Sequence, residues 1–142
     1  MAFKFEIGDP KSKKTFHLEA EAESIIGKLV GDKVSGEEID SKLAGAELEI
    51  TGASDKSGFP IHSKLEGTGL RRILLTRGFG LKKRHKKKKT SKGTLVRGVR
   101  MRRTVRANTI TSDIVQINLK VLKSAKPISE ILAKAPAEQK AA

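Results

Sequence analysis

Phe3, Phe5 and Ile7 alternate with Lys4 and Glu6. A period of two sends successive side chains to opposite faces, so residues 3–7 read as a half-buried strand. Gly8-Asp9-Pro10 is a turn signal, and 11–14 continues as a polar loop. Alternation resumes over 15–20 through Phe16 and Leu18. The two segments predict an N-terminal hairpin whose loop is too long for a two-residue turn. Residues 46–51 alternate through Leu48 and Ile50 and predict a further strand. The clearest pattern is 114–122, where Val115, Ile117, Leu119 and Val121 share one parity against Gln116, Asn118 and Lys120.

Between these strands the pattern is weaker. Residues 21–24 are acidic and 25–30 are apolar around Gly27. A short helix and a strand with a turn both fit, since an interior glycine costs a helix about 1 kcal/mol. Gly, Ser, Asp and Pro concentrate over 52–60, which predicts a shaped loop. Residues 71–77 form a basic strand with an apolar centre. Strand-like patterning returns over 94–106 and again over 104–111, with a turn at Thr111-Ser112-Asp113. Beyond Pro127, Ser129 can cap a helix, and Ile128, Ile131 and Leu132 have helical spacing.

The whole predicts a mainly β fold: a small β-barrel-like domain of about six short strands, with a long basic loop and a short C-terminal helix. The barrel-like domain would span 1–125, with the basic loop at 81–93. Residues 126–142 would be a short helix and a flexible tail.

Charge changes this picture from a generic β domain to one with a polyanionic partner. The 142 residues carry a net charge of +14, and its distribution is uneven. Residues 1–50 hold 7 basic and 11 acidic residues, whereas 70–106 hold 16 basic residues and none that is acidic. Within the second stretch, Lys82, Lys83, Arg84, His85 and Lys86, Lys87, Lys88, Lys89 are nearly pure cation, followed by Lys92. Such a run repels itself and buries nothing, so it is expected to order only against its anion. Lys and Arg neutralise phosphates and release counterions, which points to nucleic acid. The acidic first third reads as a solvated face that would orient the protein against RNA.

Other chemistry is thinly represented. There is no Cys, which removes disulfides, zinc thiolates and cysteine nucleophiles. His17, His62 and His85 are scattered, with no HxH or HExxH spacing. Gly67-Thr68-Gly69 and Gly78-Phe79-Gly80 complete no phosphate-binding motif. No enzyme activity, metal, cofactor or small-molecule substrate is expected. No stretch of about 18 apolar residues is present, so no membrane partner is expected, and the N-terminus does not read as a signal peptide. A soluble intracellular protein is the expectation. Phe79 is the one aromatic in the basic stretch, which favours recognition of backbone and shape over base-by-base reading.

One loop carries a family pattern. Residues 50–61 read ITGASDKSGFPI. They resemble the signature of the archaeal and eukaryotic small-subunit ribosomal protein S6e: apolar, Ser/Thr, Gly-Gly, any, Asp, two residues, Gly, any, Pro, Met. Gly52, Asp55, Gly58 and Pro60 match, with Lys56 and Phe59 between them. Ala53 stands where Gly is usual and Ile61 where Met is usual. Arg71-Arg72-Ile73-Leu74-Leu75-Thr76-Arg77-Gly78 is similar to the family's basic strand, and Arg102-Arg103-Thr104-Val105-Arg106 to its next arginine motif.

The resemblance implies a structural constituent of the small ribosomal subunit, of archaeal type, cytoplasmic and bound to small-subunit rRNA among neighbouring ribosomal proteins. Long basic C-terminal helices with regulatory serines occur in eukaryotic members, and the regulatory-phosphorylation reading is not carried over to this sequence. The expected rRNA-binding residues are Arg71, Arg72, Arg77, Lys82, Lys83, Arg84, His85, Lys86, Lys87, Lys88, Lys89, Lys92, Arg97, Arg100, Arg102, Arg103 and Arg106. Strand parity forbids Arg71 and Arg72 from sharing one face. The alternative is a free-standing RNA-binding protein or RNA chaperone that is not stably part of the ribosome.

Overall fold

The alternation at the N-terminus builds strand β1 (Ala2–Asp9), and Phe3, Phe5 and Ile7 are buried together on one side of it. β1 pairs antiparallel with β2 (Lys14–Glu21), as expected of a hairpin. Phe3, Phe5 and Ile7 face Ala20, Leu18 and Phe16 across the ladder, so this face of the hairpin is apolar until it ends at the pair Asp9 and Lys14. On the other face Lys4 lies opposite Glu19, 3.4 Å between charged atoms. Both groups are solvated, so the pair stabilises by less than about 1 kcal/mol. The connecting turn is shaped by Asp9, whose Oδ1 accepts the Lys11 N–H at 2.9 Å. That hydrogen bond favours the carboxylate and holds Asp9 below the usual carboxylate range.

This is a computed structural model, and it describes residues 2–76, 78–81, 98, 100–124 and 128. After β2 come three single-turn 3₁₀ helices, at Glu23–Ile25, Gly36–Glu38 and Ser41–Leu43, together with the short strand β3 (Lys33–Ser35). Neither of the two forms expected for 21–30 describes this segment fully. Between β2 and residue 46 the chain is anchored by buried Ile25, Val34, Ile39 and Leu43, whose spacing fits neither a helix nor a strand. The segment is a chain of pegs set into the core.

β4 (Ala46–Asp55) runs further than the expected 46–51 and takes in the first half of the shaped loop. Its register against β7 (Ile114–Ser124) slips at Thr51: Ile50 lies opposite Leu119 and Gly52 opposite Asn118. The extra residue is a β-bulge, and the Thr51 hydroxyl donates to the Asn118 carbonyl at 3.0 Å. Parity flips across it. Ala46, Leu48 and Ile50 are buried before the bulge, Ala53 and Asp55 after it. β7 keeps the parity read from its sequence at Ile117, Leu119 and Val121.

The five strands form one sheet in the order β2-β1-β7-β4-β3. β1 and β7 are parallel and lie side by side. Among the described residues this sheet does not close, so the expected barrel-like form is not what is found. β3 is three residues long and ends the sheet at one edge, while β2 ends it at the other. β5 (Leu70–Thr76) and β6 (Arg100–Arg106) make a separate antiparallel ribbon.

The main core lies against the apolar face of the sheet. Ile128, beyond the expected domain boundary, is fully buried in it. The expected C-terminal helix and tail otherwise lie outside the described residues, as does the basic loop after Leu81. The ribbon has a small core of its own, Leu75, Leu81 and Val105, with Leu65 and Ile73 against it.

Candidate nucleic-acid interface

The ribbon's register decides where its cations point. Arg72 lies opposite Thr104 and Leu74 opposite Arg102, so Arg72, Arg102 and Arg100 share one face. Arg71 lies opposite Val105 and Ile73 opposite Arg103, which puts Arg71 and Arg103 on the other. Arg71 and Arg72 are both exposed, on opposite faces. Among the described residues no acidic side chain forms an ion pair with Arg71, Arg72, Arg100, Arg102 or Arg103; the pairs that exist involve Lys4, His17, Lys28 and Arg106. Arg77, Lys82, Lys83, Arg84, His85, Lys86 to Lys89, Lys92 and Arg97 lie outside the described residues.

Arg106 stands apart from the other arginines. It is 8% exposed, where an RNA-facing side chain would be open. Its Nη1 donates to Thr111 Oγ1 at 2.9 Å, its Nη2 to Asp113 Oδ2 at 3.1 Å, and its Nε lies 3.5 Å from Asp55 Oδ2. The guanidinium is an internal tie. The reason is positional: Arg106 closes the ribbon where the chain passes the signature loop, and the bulge at Thr51 has turned Asp55 inward to meet it.

The signature loop is built around that same Asp55. Its Oδ1 accepts the Ser57 N–H at 2.9 Å and the Phe59 N–H at 2.8 Å. Its backbone carbonyl accepts the Gly58 N–H at 2.9 Å, and its own N–H donates to the Phe59 carbonyl at 3.1 Å. Pro60 and Ile61 then form a strap. Ile61 N–H donates to the Ala53 carbonyl at 2.9 Å on the sheet side, while the Pro60 carbonyl accepts the Arg106 N–H at 3.0 Å on the ribbon side. Proline suits this position, because only its carbonyl is used. Lys56 is exposed on the turn, and its N–H donates to the Asp113 carbonyl at 3.3 Å.

Gly58 has φ +79°, in the left-handed region that side chains other than glycine's resist. Gly58→Val is expected to lower stability by about 1–2 kcal/mol, and Gly58→Asn by less, read as shifts in the urea midpoint. Equal midpoints for Val, Asn and the native chain would show that the turn does not need glycine.

Between the loop and the ribbon lies a cleft of about 440 Å³, lined by Ser57, Gly58, Phe59, Pro60, Arg72, Gly80, Arg102, Arg103, Thr104 and Val105. Arg103 Nε is enclosed and has no hydrogen-bond partner. The cleft is therefore a cationic notch with backbone and hydroxyl groups on its walls, a setting suited to a phosphate oxygen. Among the described residues no group of three His, Asp or Glu could hold a metal ion. The sequence reading missed the tie of Arg106 to Asp55 and Asp113. Nothing in a single sequence pairs residues 55 and 106 or sets Arg106 apart from Arg102.

Comparison with known proteins agrees with the loop pattern. Residues 3–133 match the family described as "Ribosomal protein S6e". The chain is 38% identical over 123 residues to the "Small ribosomal subunit protein eS6" of Methanococcus maripaludis (strain C6), covering 87% of this chain and 89% of that one. The protein of the same name from Archaeoglobus fulgidus is 38% identical over 135 residues, covering 92% and 95%. That from Methanothermobacter thermautotrophicus is 39% identical over 134 residues, covering 93% and 96%.

Proposed function

Because the chain belongs to the ribosomal protein S6e family, we propose that it is a structural, non-enzymatic constituent of the small ribosomal subunit in the cytoplasm, of archaeal type. It binds small-subunit rRNA through the basic segment 70–106, reading phosphate backbone and RNA shape, with other ribosomal proteins as neighbours. The observation that carries the RNA-binding part is the ribbon itself. It presents Arg71, Arg72, Arg100 and Arg102 exposed and without described carboxylate partners, on a scaffold fixed to the sheet through the strap at Pro60 and Ile61. In the sequence, the stretch from Lys82 to Lys92 adds a dense run of charge. Arg106 belongs to the scaffold and is no part of the proposed contact surface.

Counterion release supplies the test, since each phosphate left without its cation reduces the salt dependence of log K by about 0.7–0.9. Replacing Arg71, Arg72, Arg100 and Arg102 together by Gln is expected to weaken rRNA binding and to flatten the slope by roughly 3, with an unchanged urea midpoint. Neutralising Lys82 to Lys89 is expected to flatten it further. An unchanged slope would remove the segment from the interface. Sedimentation separates this reading from a free RNA chaperone: a subunit constituent travels with small subunits through a high-salt sucrose gradient, and a chaperone stays at the top.

A further inference from the structure

Phe79 is the most exposed of the five phenylalanines, at 52%. It is displayed by the turn Gly78-Phe79-Gly80-Leu81, in which Gly78 and Leu81 exchange backbone hydrogen bonds of 3.4 and 3.3 Å. Leu81 is buried beside Leu75 and pegs the turn to the ribbon's core. The Phe79 ring meets His62 edge-to-face, with centroids 5.3 Å apart and planes at 89°. His62 is itself held: its N–H donates to the Arg106 carbonyl at 2.9 Å, and its Nδ1 accepts the Lys64 N–H at 3.2 Å. A single exposed apolar residue is ordinary on a protein surface. This one is aromatic, held in place, and set inside the stretch of 16 basic and no acidic residues. Its neighbour Gly80 lines the cleft with Arg72 and Arg102. An aromatic face beside a cationic groove is how proteins hold single-stranded nucleic acid, because every base has a π face and every nucleotide a phosphate.

We propose that Phe79, steadied by His62, stacks one unpaired RNA base while the cleft arginines Arg72 and Arg102 take an adjoining phosphate. This rests on the rRNA-binding reading above and adds the class of element recognised: a nucleotide turned out of its helix. Three probes for the full chain separate the two claims: a single-stranded RNA dodecamer, a duplex RNA of the same length, and inorganic polyphosphate, which has charge but no bases. Phe79→Ala is expected to weaken binding of the single strand roughly 5- to 150-fold, the range found when stacking aromatics are truncated. Duplex and polyphosphate binding, and the urea midpoint, are expected to stay as in the native chain. Phe79→Trp should retain single-strand affinity and Phe79→Leu should lose it. A single strand carrying 5-iodouridine should photocrosslink to position 79 in the native chain.

Native-like single-strand affinity in Phe79→Ala would overturn the stacking site. So would equal weakening on single strand and duplex, full rescue by Leu (the signature of an aliphatic contact such as a protein pocket), or no crosslink at 79. Failure of the native chain to bind polyphosphate or either RNA would instead sink the cationic reading on which the site rests.

Discussion

Arg106→Ala lowers the stability of the protein by about 3 kcal/mol, as the urea midpoint should report, whereas Arg102→Ala changes it by no more than about 0.5 kcal/mol. The two arginines lie four residues apart in one basic strand. Arg102 is solvated, and its removal leaves nothing unpaired inside. Arg106 is 8% exposed and faces Asp55, which is 6% exposed. Removing the guanidinium leaves a buried carboxylate without its counter-charge, and breaking one half of such a pair typically costs about 3–5 kcal/mol. The lower end applies because Asp55 keeps the Ser57 and Phe59 N–H groups, and because Asp113, the other acidic partner, is half exposed. The RNA assay should sort the same variants the opposite way. Arg102→Ala weakens binding and lowers the salt slope by roughly 1, and Arg106→Ala leaves the slope of the folded protein alone. Equal destabilisation by both variants would refute the internal tie.

The second large effect falls on a glycine outside the family signature. Gly36 opens a 3₁₀ turn just after β3, and its Cα faces the backbone of Leu43. A Cβ there would run into the Leu43 carbonyl oxygen and lie 2.9 Å from Leu43 Cβ. Leu43 is fully buried and cannot yield without opening the core. Gly36→Ala is therefore expected to lower stability by about 3 kcal/mol, at the upper end for overpacking. Gly52→Ala, inside the signature, meets no atom within 4 Å and is expected to stay within about 0.5 kcal/mol. Thermal unfolding of the two variants side by side checks the ranking, and a Gly52→Ala effect as large as that of Gly36→Ala would reverse it.

Much of the sheet was legible because period two is a local property. Phe3-Phe5-Ile7, Leu48-Ile50 and Ile117-Leu119-Val121 each announce their buried face. The ribbon was legible too, since 71–77 and 94–106 each carry an apolar centre among arginines, although β6 begins at Arg100 and ends at Arg106. What stayed hidden depends on distant neighbours. The bulge at Thr51 turns an apparent loop into continuing strand and reverses its parity. The barrel-like expectation followed from the number of strands, but a three-residue β3 at the edge leaves an open sheet. Within the site, the surplus of charge was plain in the sequence. Its division into solvated arginines and one buried tie was not, because Arg106 is distinguished by partners brought to it by the fold: Asp55, Thr111 and Asp113.

The parallel pairing of β1 with β7 also sets a timetable. β7 lies between β1 and β4 in the sheet, yet it is the last of these strands to be synthesised. Until residues 114–124 have emerged, the β1–β2 hairpin and the β3–β4 pair have no strand to join them. The cationic ribbon precedes β7 and is complete first. Contacts of such long sequence separation also slow folding, because a large loop must close before they form. During each round of synthesis, then, the nascent chain presents its most cationic strands before it can complete its sheet. Early emergence of the cationic ribbon and late completion of the sheet are thus ordered by the same strand arrangement.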